Sequence, residues 1–205
     1  DAFTRAGIAV LRYDDRGVGE SGGVYEEASL SDFAADGQAA VDYLKTRADI
    51  NTDEVGLLGH SEGGMYAAKI GANPDSDVAF IILMASPTVD GMAVLIEQNR
   101  RILELSGQSQ EQIDAQIRYL EALYPLAIAR DWEAARQVTY DAVLEQFTML
   151  SAEEQAAIGD AEARAEQQAD AFIAGYGQEW FASMLEYDPA PDFAAVTVPM
   201  LALFG

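Results

Sequence analysis

The chain has 205 residues, half of them hydrophobic, which is enough for a sizeable core in one domain or in one domain with an insertion. It carries 35 acidic and 12 basic residues, and the formal net charge of −23 argues against nucleic acid and anionic membrane surfaces as partners. The absence of cysteine excludes disulfides and thiolate metal sites and leaves the compartment open. The longest apolar run, from Val78 to Ala85, is far shorter than the ~20 residues that span a bilayer.

The first pattern along the chain is a continuous apolar run, Ile8 to Tyr13, which predicts a buried strand. The next loop contains Gly17-x-Gly19-x-x-Gly22, the spacing of a dinucleotide-binding fingerprint. That fingerprint requires a helix to begin at the glycines, whereas the next helical pattern begins only near Leu30. We therefore expect a structural loop in which Arg16 binds nearby carbonyls or carboxylates.

Apolar residues at helical spacing predict a helix over residues 30–44. Ser29 or Ser31 is suited to cap its start, and Asp32 favours its first turn. Gly37 costs about 1 kcal/mol in a helix interior relative to alanine, so we expect it to mark close packing against the sheet.

The stretch from Val55 to Met65 combines a short apolar strand, the motif Gly59-x-Ser61-x-Gly63 and a run of small residues that opens a helix. In a nucleophile elbow, a serine occupies a strained strand-to-helix turn that lifts its hydroxyl clear of the sheet, and its neighbours must be small. We therefore predict that Ser61 is a nucleophile and that the backbone N–H of Glu62 stabilises an oxyanion. The alternative is a glycine-rich turn with an exposed serine.

The helix after Ser61 is predicted to end near Gly71, and Val78 to Met84 is the next buried strand. Strand, helix, strand, helix, strand is the order typical of a parallel sheet with right-handed crossovers. From Met92 to Glu186 the patterns are helical only. The chain then returns through a Pro-rich segment, residues 188–193, to one more strand predicted to be buried, Val198 to Gly205.

Four long helices and a short one are predicted in the helical insert. The first ends before Gly107, the second opens with the capping box Ser109-x-x-Gln112 and is ended or kinked at Pro125, and the third covers 132–149. The fourth helix opens at Ser151 and continues towards residue 173. Its part over 152–168 is a candidate solvated arm. The short helix covers 180–185. We interpret the insert as a cap or lid over an active site; the alternative is a helical subdomain that only packs or dimerises.

Three segments carry a family likeness: residues 11–21, 59–64 and 198–205. They resemble, in turn, the strand and loop before the elbow, the elbow itself and the strand before the triad acid in bacterial α/β-hydrolases of the Est10/EstD esterase group. That group is related to the serine aminopeptidase-like hydrolases. The resemblance implies an α/β-hydrolase fold, a mostly parallel sheet with flanking helices, with its core over 1–90, a helical cap over 91–187 and a return to the core over 188–205.

The same resemblance implies a carboxylic ester hydrolase that acts on a small-molecule ester through an acyl-enzyme on Ser61, without a cofactor. The family triad runs in the order serine, acid, histidine, and both partners are expected beyond Gly205. The strands expected before Ile8, and the loop that supplies the second oxyanion N–H, are absent too. We therefore expect an internal fragment, incomplete at both ends, that is inactive or nearly so by itself.

Two residues near the elbow are candidates for secondary roles. His60, the single histidine, is expected to line the substrate pocket or the helix start rather than act as the base, because adjacent residues on an elbow point in different directions. Asp90 is an alternative position for the acid, but it has no histidine to orient. The carboxylate pairs Asp14-Asp15 and Asp75-x-Asp77 are interpreted as solvated loop charges, so no metal site is expected.

Other functions stay open from the sequence. A peptidase, thioesterase or lysophospholipase of the same superfamily is the nearest alternative, and the shape of the pocket decides among them. A non-catalytic α/β-hydrolase-like binding protein is the second class, and a nucleotide-binding protein is the third. The sequence does not determine the oligomeric state.

Overall fold

The structure is a computed structural model that describes residues 2–204. In chain order the elements are α1 (Ala2–Arg5), α2 (Leu30–Lys45), β1 (Gly56–His60), α3 (Glu62–Ala72), β2 (Phe80–Met84), α4 (Gly91–Leu105), α5 (Gln110–Ile128), α6 (Trp132–Thr148), α7 (Ala152–Ile158), α8 (Ala161–Tyr176), α9 (Glu179–Glu186), α10 (Ala190–Ala195) and β3 (Met200–Leu203). A 3₁₀ turn at Thr52–Glu54 precedes β1. The chain forms two compact units: the sheet unit, Asp1–Asp90 with Asp188–Gly205, and the helical unit, Gly91–Tyr187.

Three parallel strands form the sheet, in the order β1, β2, β3. His60 at the end of β1 lies opposite Met84 at the end of β2, and Met84 lies opposite Leu203 of β3. The predicted parallel arrangement is therefore confirmed. Because the strands are parallel, their carboxyl ends meet at one edge of the sheet, and the turn after β1 lies at that edge.

Helices α2, α3 and α10 complete the core of the sheet unit. The buried residues of this core come from both helices and strands: Ala34, Val41, Val55, Ala67, Ile70, Val78, Ile81 and Leu83. Ser29 is the N-cap of α2, since its hydroxyl accepts the Asp32 N–H at 3.3 Å while the Asp32 carboxylate accepts the Ser29 N–H at 2.9 Å. The predicted helix start is confirmed.

Gly37 is close-packed, but not against the sheet. A Cβ added there would lie 2.8 Å from Cδ1 of Ile70 on α3. The predicted contact with the sheet is therefore wrong, because the small residue lets α2 approach a neighbouring helix instead. The sequence indicated that space was scarce at Gly37 but did not show which element would fill it.

The predicted strand from Ile8 to Tyr13 is not observed. These residues have no regular structure, and Ile8, Val10 and Tyr13 are 52%, 52% and 51% exposed. Within residues 2–204 the sheet contains β1, β2 and β3 alone, so this segment has no strand neighbour. An apolar run has the composition of a buried strand but becomes one only where another strand accepts its backbone hydrogen bonds.

The last strand is present but is not buried as predicted. Met200, Leu201 and Leu203 of β3 are 46%, 53% and 47% exposed, because among the described residues β3 has a strand partner, β2, on one side only. Gly205, the end of the predicted strand, lies outside the described residues. The Pro-rich return before it contains the short helix α10, which the sequence analysis did not anticipate.

The helical unit contains α4 to α9. Its core is formed mainly by α5 and α9, with the buried residues Ile113, Ile117, Leu120, Leu123, Tyr124, Ala127, Ala135, Phe181, Met184 and Leu185. Ser109 and Ser151 cap α5 and α7 with the predicted capping boxes. Helix α5 does not end at Pro125 but continues to Ile128.

The predicted fourth helix of this unit is two helices. Gly159 ends α7 with a φ of 79°, and the Asp160 side chain accepts the Ala163 N–H at the start of α8. The proposed solvated arm is also wrong for α8, which packs on α6 with Ala165 and Ala169 fully buried. The apolar stripe of α8 is weak in the sequence because it contains alanines. Alanines bury little apolar surface but allow close contact between helices.

Candidate active site

Ser61 lies in a strained turn between β1 and α3. Its φ of 52° and ψ of −120° fall outside the helical and extended regions that non-glycine residues prefer. Its backbone N–H donates to the carbonyl oxygen of Met84 at 2.9 Å, so the pairing with β2 extends into the turn. The next residue, Glu62, already belongs to α3. The serine is therefore fixed at the carboxyl end of the sheet, directly before a helix.

The Ser61 side chain differs from the other serines that cap helices in this chain. Ser29, Ser109 and Ser151 each accept the backbone N–H of the residue three positions later. Ser61 occupies the same N-cap position of α3 but makes no such bond. Because its backbone conformation turns the side chain away from the first helical turn, the hydroxyl is exposed and is not consumed by capping.

Two glycines make this turn possible. A Cβ added at Gly59 would lie 2.1 Å from the carbonyl oxygen of Gly63, and one added at Gly64 would lie 2.2 Å from Oγ of Ser86. At Gly63 an added Cβ would meet nothing within 4 Å. Gly59 and Gly64 therefore allow the strand, the helix and the buried Ser86 to approach closely, whereas Gly63 has no such steric role.

Glu62 is the first residue of α3, where the positive end of the helix dipole lies. Its backbone N–H therefore belongs to a helix start of the kind that stabilises a negative charge developing next to the serine. Its carboxylate accepts a hydrogen bond from the hydroxyl of Tyr66, one turn later on the same helix. The sequence analysis missed Tyr66, although the spacing of four residues between Glu62 and Tyr66 is that of neighbours on one helix face.

His60 ends β1 and is exposed. Among residues 2–204, no hydrogen bond joins its imidazole to the hydroxyl of Ser61. A general base must reach the proton that it removes, and His60 does not show that contact. Asp90, the alternative acid, precedes α4 at the end of the first segment of the sheet unit. The structure does not show the described His60, Ser61 and Asp90 linked as a triad.

The loop with the three spaced glycines is a structural loop, as predicted. Nε and Nη2 of Arg16 each donate to the Asp36 carboxylate at 2.7 Å, and Nη2 also donates to the Asp32 carbonyl oxygen at 3.0 Å. The hydrogen bond to Asp36 raises the pKa of Arg16. Arg16 thus ties the loop to α2, and the prediction for this residue is confirmed.

A separate cavity of about 390 Å³ lies beside this loop. It is lined by Leu11, Tyr13, Asp14, Arg16, Ser21, Gly22, Asp36, Ala39, Ala40 and Tyr43, and thus by none of His60, Ser61 and Glu62.

Within residues 2–204 no cluster of three or more His, Asp or Glu residues could hold a metal ion. No helix in the same described part combines the length and apolar character that crossing a membrane requires.

The first strand of this parallel sheet leads into a helix through Ser61, which has a strained backbone and makes no capping hydrogen bond. This arrangement is typical of the α/β-hydrolase class. The chain belongs to the family described as Serine aminopeptidase, S33, whose model matches residues 1–175. The suspected superfamily and the α/β fold are thereby confirmed.

The chain is also similar to two individual proteins. The Esterase EstD of Thermotoga maritima is 27% identical over 199 residues, which are 97% of this chain and 37% of that protein. The Uncharacterized protein YfhR of Salmonella typhimurium is 40% identical over 57 residues, 28% of this chain and 18% of that protein. The aligned residues therefore span less than half of the length of either relative.

Proposed function

We propose that this protein is a serine hydrolase that cleaves carboxylic esters through an acyl-enzyme on Ser61. The observation that carries the proposal is the Ser61 turn, with its strained backbone, exposed hydroxyl and position at a helix start. The similarity to an esterase over nearly the whole chain supports an ester rather than another acyl substrate. The turn and the helix start support two of the groups that acyl transfer needs, a serine nucleophile and one oxyanion donor.

In the proposed reaction, Oγ of Ser61 forms a bond to the ester carbonyl carbon while a base accepts the hydroxyl proton. The backbone N–H of Glu62 stabilises the oxyanion of the tetrahedral intermediate. The alcohol leaves with a proton, and water then attacks the acyl-enzyme, which releases the acid and restores Ser61. His60 is not assigned as the base, because it makes no hydrogen bond to Ser61. We propose instead that His60 lines the substrate pocket.

A fluorophosphonate probe tests the proposal, because an activated serine displaces its fluoride and keeps the phosphonyl group. The natural protein that carries this sequence should be labelled, and peptide mass spectrometry should locate the label on Ser61. Ser61→Ala should abolish both labelling and hydrolysis of a short-chain p-nitrophenyl ester. Ser31→Ala, which removes an exposed hydroxyl from α2, should leave both unchanged.

The 205-residue chain alone should show little of this activity, since its single histidine makes no hydrogen bond to the Ser61 hydroxyl. Labelling of the natural protein at a residue other than Ser61, or none at all, would contradict the proposal and favour a non-catalytic binding protein. Faster cleavage of an aminoacyl anilide than of the ester would instead favour a peptidase. The role of residues 91–187 as a substrate-binding cap stays a prediction from the sequence.

A further inference from the structure

The side chain of Glu62 has a specific position next to the strained serine. The hydroxyl of Tyr66 donates a hydrogen bond to Oε1 of the Glu62 carboxylate. Both residues lie on α3, so the bond joins the first residue of the helix to its second turn. The Glu62 side chain is therefore held along α3 by a contact within the same helix.

Tyr66 is itself held by a neighbouring helix. Its ring is stacked on Phe33 of α2, with centroids 5.9 Å apart and an interplanar angle of 21°. Phe33 is only 5% exposed and contacts the ring of Tyr25 at 5.2 Å and the guanidinium of Arg16 at 5.9 Å. Because Arg16 is bound in turn to Asp36 of α2, Tyr66 rests on a fixed surface.

The Glu62 carboxylate also lies near Tyr25. The pKa of Tyr25 is raised by burial and, next, by the negative charge of Glu62.

The backbone at Ser61 needs such a restraint. A residue with a φ of 52° tends to relax towards a commoner conformation unless the structure on both sides holds it. On the strand side, the Ser61 N–H is bound to Met84 of β2. On the helix side, the Tyr66–Glu62 bond fixes the residue that follows. These two contacts lie on either side of the strained residue.

We propose that Tyr66 is a positioning residue which, stacked on Phe33 and hydrogen-bonded to the Glu62 carboxylate, keeps the Glu62 backbone N–H aimed at the oxyanion. This inference rests on the proposed function, since it assigns a role in the same reaction. Because the oxyanion exists only in the transition state and the intermediate, a misaligned donor lowers kcat and leaves substrate binding nearly unchanged.

The test uses the natural protein and separates the hydrogen bond from the ring. Tyr66→Phe retains the stacking on Phe33 but loses the hydroxyl, and we expect kcat to fall about five- to tenfold with KM within about twofold. Glu62→Ala should lose a similar factor, and Glu62→Gln should lose less, because its amide oxygen can still accept the bond. The double variant Tyr66→Phe with Glu62→Ala should be no worse than either single variant.

Tyr43→Phe is the matched control, since its hydroxyl also takes part in a hydrogen bond, with Arg47, on the exposed side of the same unit. It should leave kcat unchanged. The positioning role would be overturned if Tyr66→Phe had the wild-type kcat. It would also be overturned if kcat and stability fell together in this variant, as in a general loss of folding. In both cases Ser61→Ala would still abolish activity. Absence of any Ser61-dependent hydrolysis in the wild type would overturn the proposed function as well, so the two failures are distinguishable.

Discussion

The sheet unit and the helical unit are stabilised in different ways. Around Ser61 the sheet unit depends on a close approach of backbone to backbone at Gly59 and of backbone to the Ser86 side chain at Gly64. It also contains two non-glycine residues with positive φ at the ends of neighbouring strands, Ser61 at 52° and Ala85 at 49°. The helical unit depends on regular helices with capping boxes and apolar side chains packed between them. Two of the four non-glycine residues with positive φ among the described residues thus lie beside the proposed chemistry, and the other two are Asp77 in the sheet unit and Arg130 in the helical unit.

The difference is one of degree. In the helical unit, a Cβ added at Gly91 would lie 1.9 Å from the carbonyl oxygen of Met184, so α4 and α9 also meet through a glycine. That contact joins two regular helices, however, whereas Gly59 permits a turn with an unfavourable serine conformation. A tight glycine serves packing in one case and a strained site in the other, and substitutions can distinguish the two.

The largest effect is expected for Gly59→Ala. The new methyl group would lie 2.1 Å from a backbone oxygen, which cannot move without opening the turn, so the sheet unit should lose more than about 4 kcal/mol of stability. Gly63→Ala places its methyl group in open space within the first turn of α3 and should change stability by less than about 1 kcal/mol.

Hydrogen exchange of peptides covering β1 and α3 measures this effect. Both tryptophans, Trp132 and Trp180, lie in the helical unit, so fluorescence cannot report on the sheet unit directly. Equal protection in the two alanine variants would show that the close approach at Gly59 is not what holds the turn.

The matching experiment on the helical unit is Leu123→Ala. Leu123, on α5, is 1% exposed in the core of the helical unit. Its truncation should lower the stability of this unit by about 3 kcal/mol through lost burial and a cavity. Leu105→Ala, at a position that is 88% exposed, should cost less than about 0.5 kcal/mol. Urea unfolding followed by tryptophan fluorescence gives both values, and a Leu123→Ala midpoint equal to that of Leu105→Ala would contradict side-chain packing as the main stabilising interaction of this unit.

Much of the regular structure could be predicted because its signals are local. Ser29, Ser109 and Ser151 each form a capping box, which needs only residues three positions apart. The Ser61 motif is local as well, since strand, glycines and helix follow each other directly. The boundary at Gly159 and Asp160 was also local, but it was hidden by a composition that favours helix on both sides.

The features that sequence reasoning missed depend on tertiary partners. Whether Ile8 to Tyr13 forms a strand depends on a neighbouring strand, and whether β3 is buried depends on what covers it. Tyr66 became important only because α2 brings Phe33 beneath its ring. The strands β1 and β2 were therefore predicted from the sequence, whereas the neighbours of each strand were not. The role of Ser61 stays a prediction.

The smallest effect concerns the start of α2, where the loop of the sheet unit is attached. The pKa of Asp32 lies below its ordinary value of 3.8, chiefly because the Ser29 hydroxyl and N–H donate to its carboxylate and also because Arg16 is nearby. A depressed pKa means that the ionised form stabilises the folded state above the ordinary pKa, and that this contribution disappears as the pH falls through the folded value. The sheet unit should therefore lose stability on acidification through Asp32.

Asp32→Asn removes this titration, so the loss of stability between about pH 5 and about pH 3 should be smaller than in the wild type. Ser29→Ala removes one donor and should reduce the acid sensitivity only in part, because the backbone N–H of Ser29 still reaches the carboxylate. Urea unfolding followed by circular dichroism measures the pH dependence. The transition to be analysed is that of the sheet unit, which tryptophan fluorescence does not report. Identical pH dependence in the wild type and Asp32→Asn would show that this cap contributes nothing measurable, and that the stability of the sheet unit resides in its glycine contacts and core.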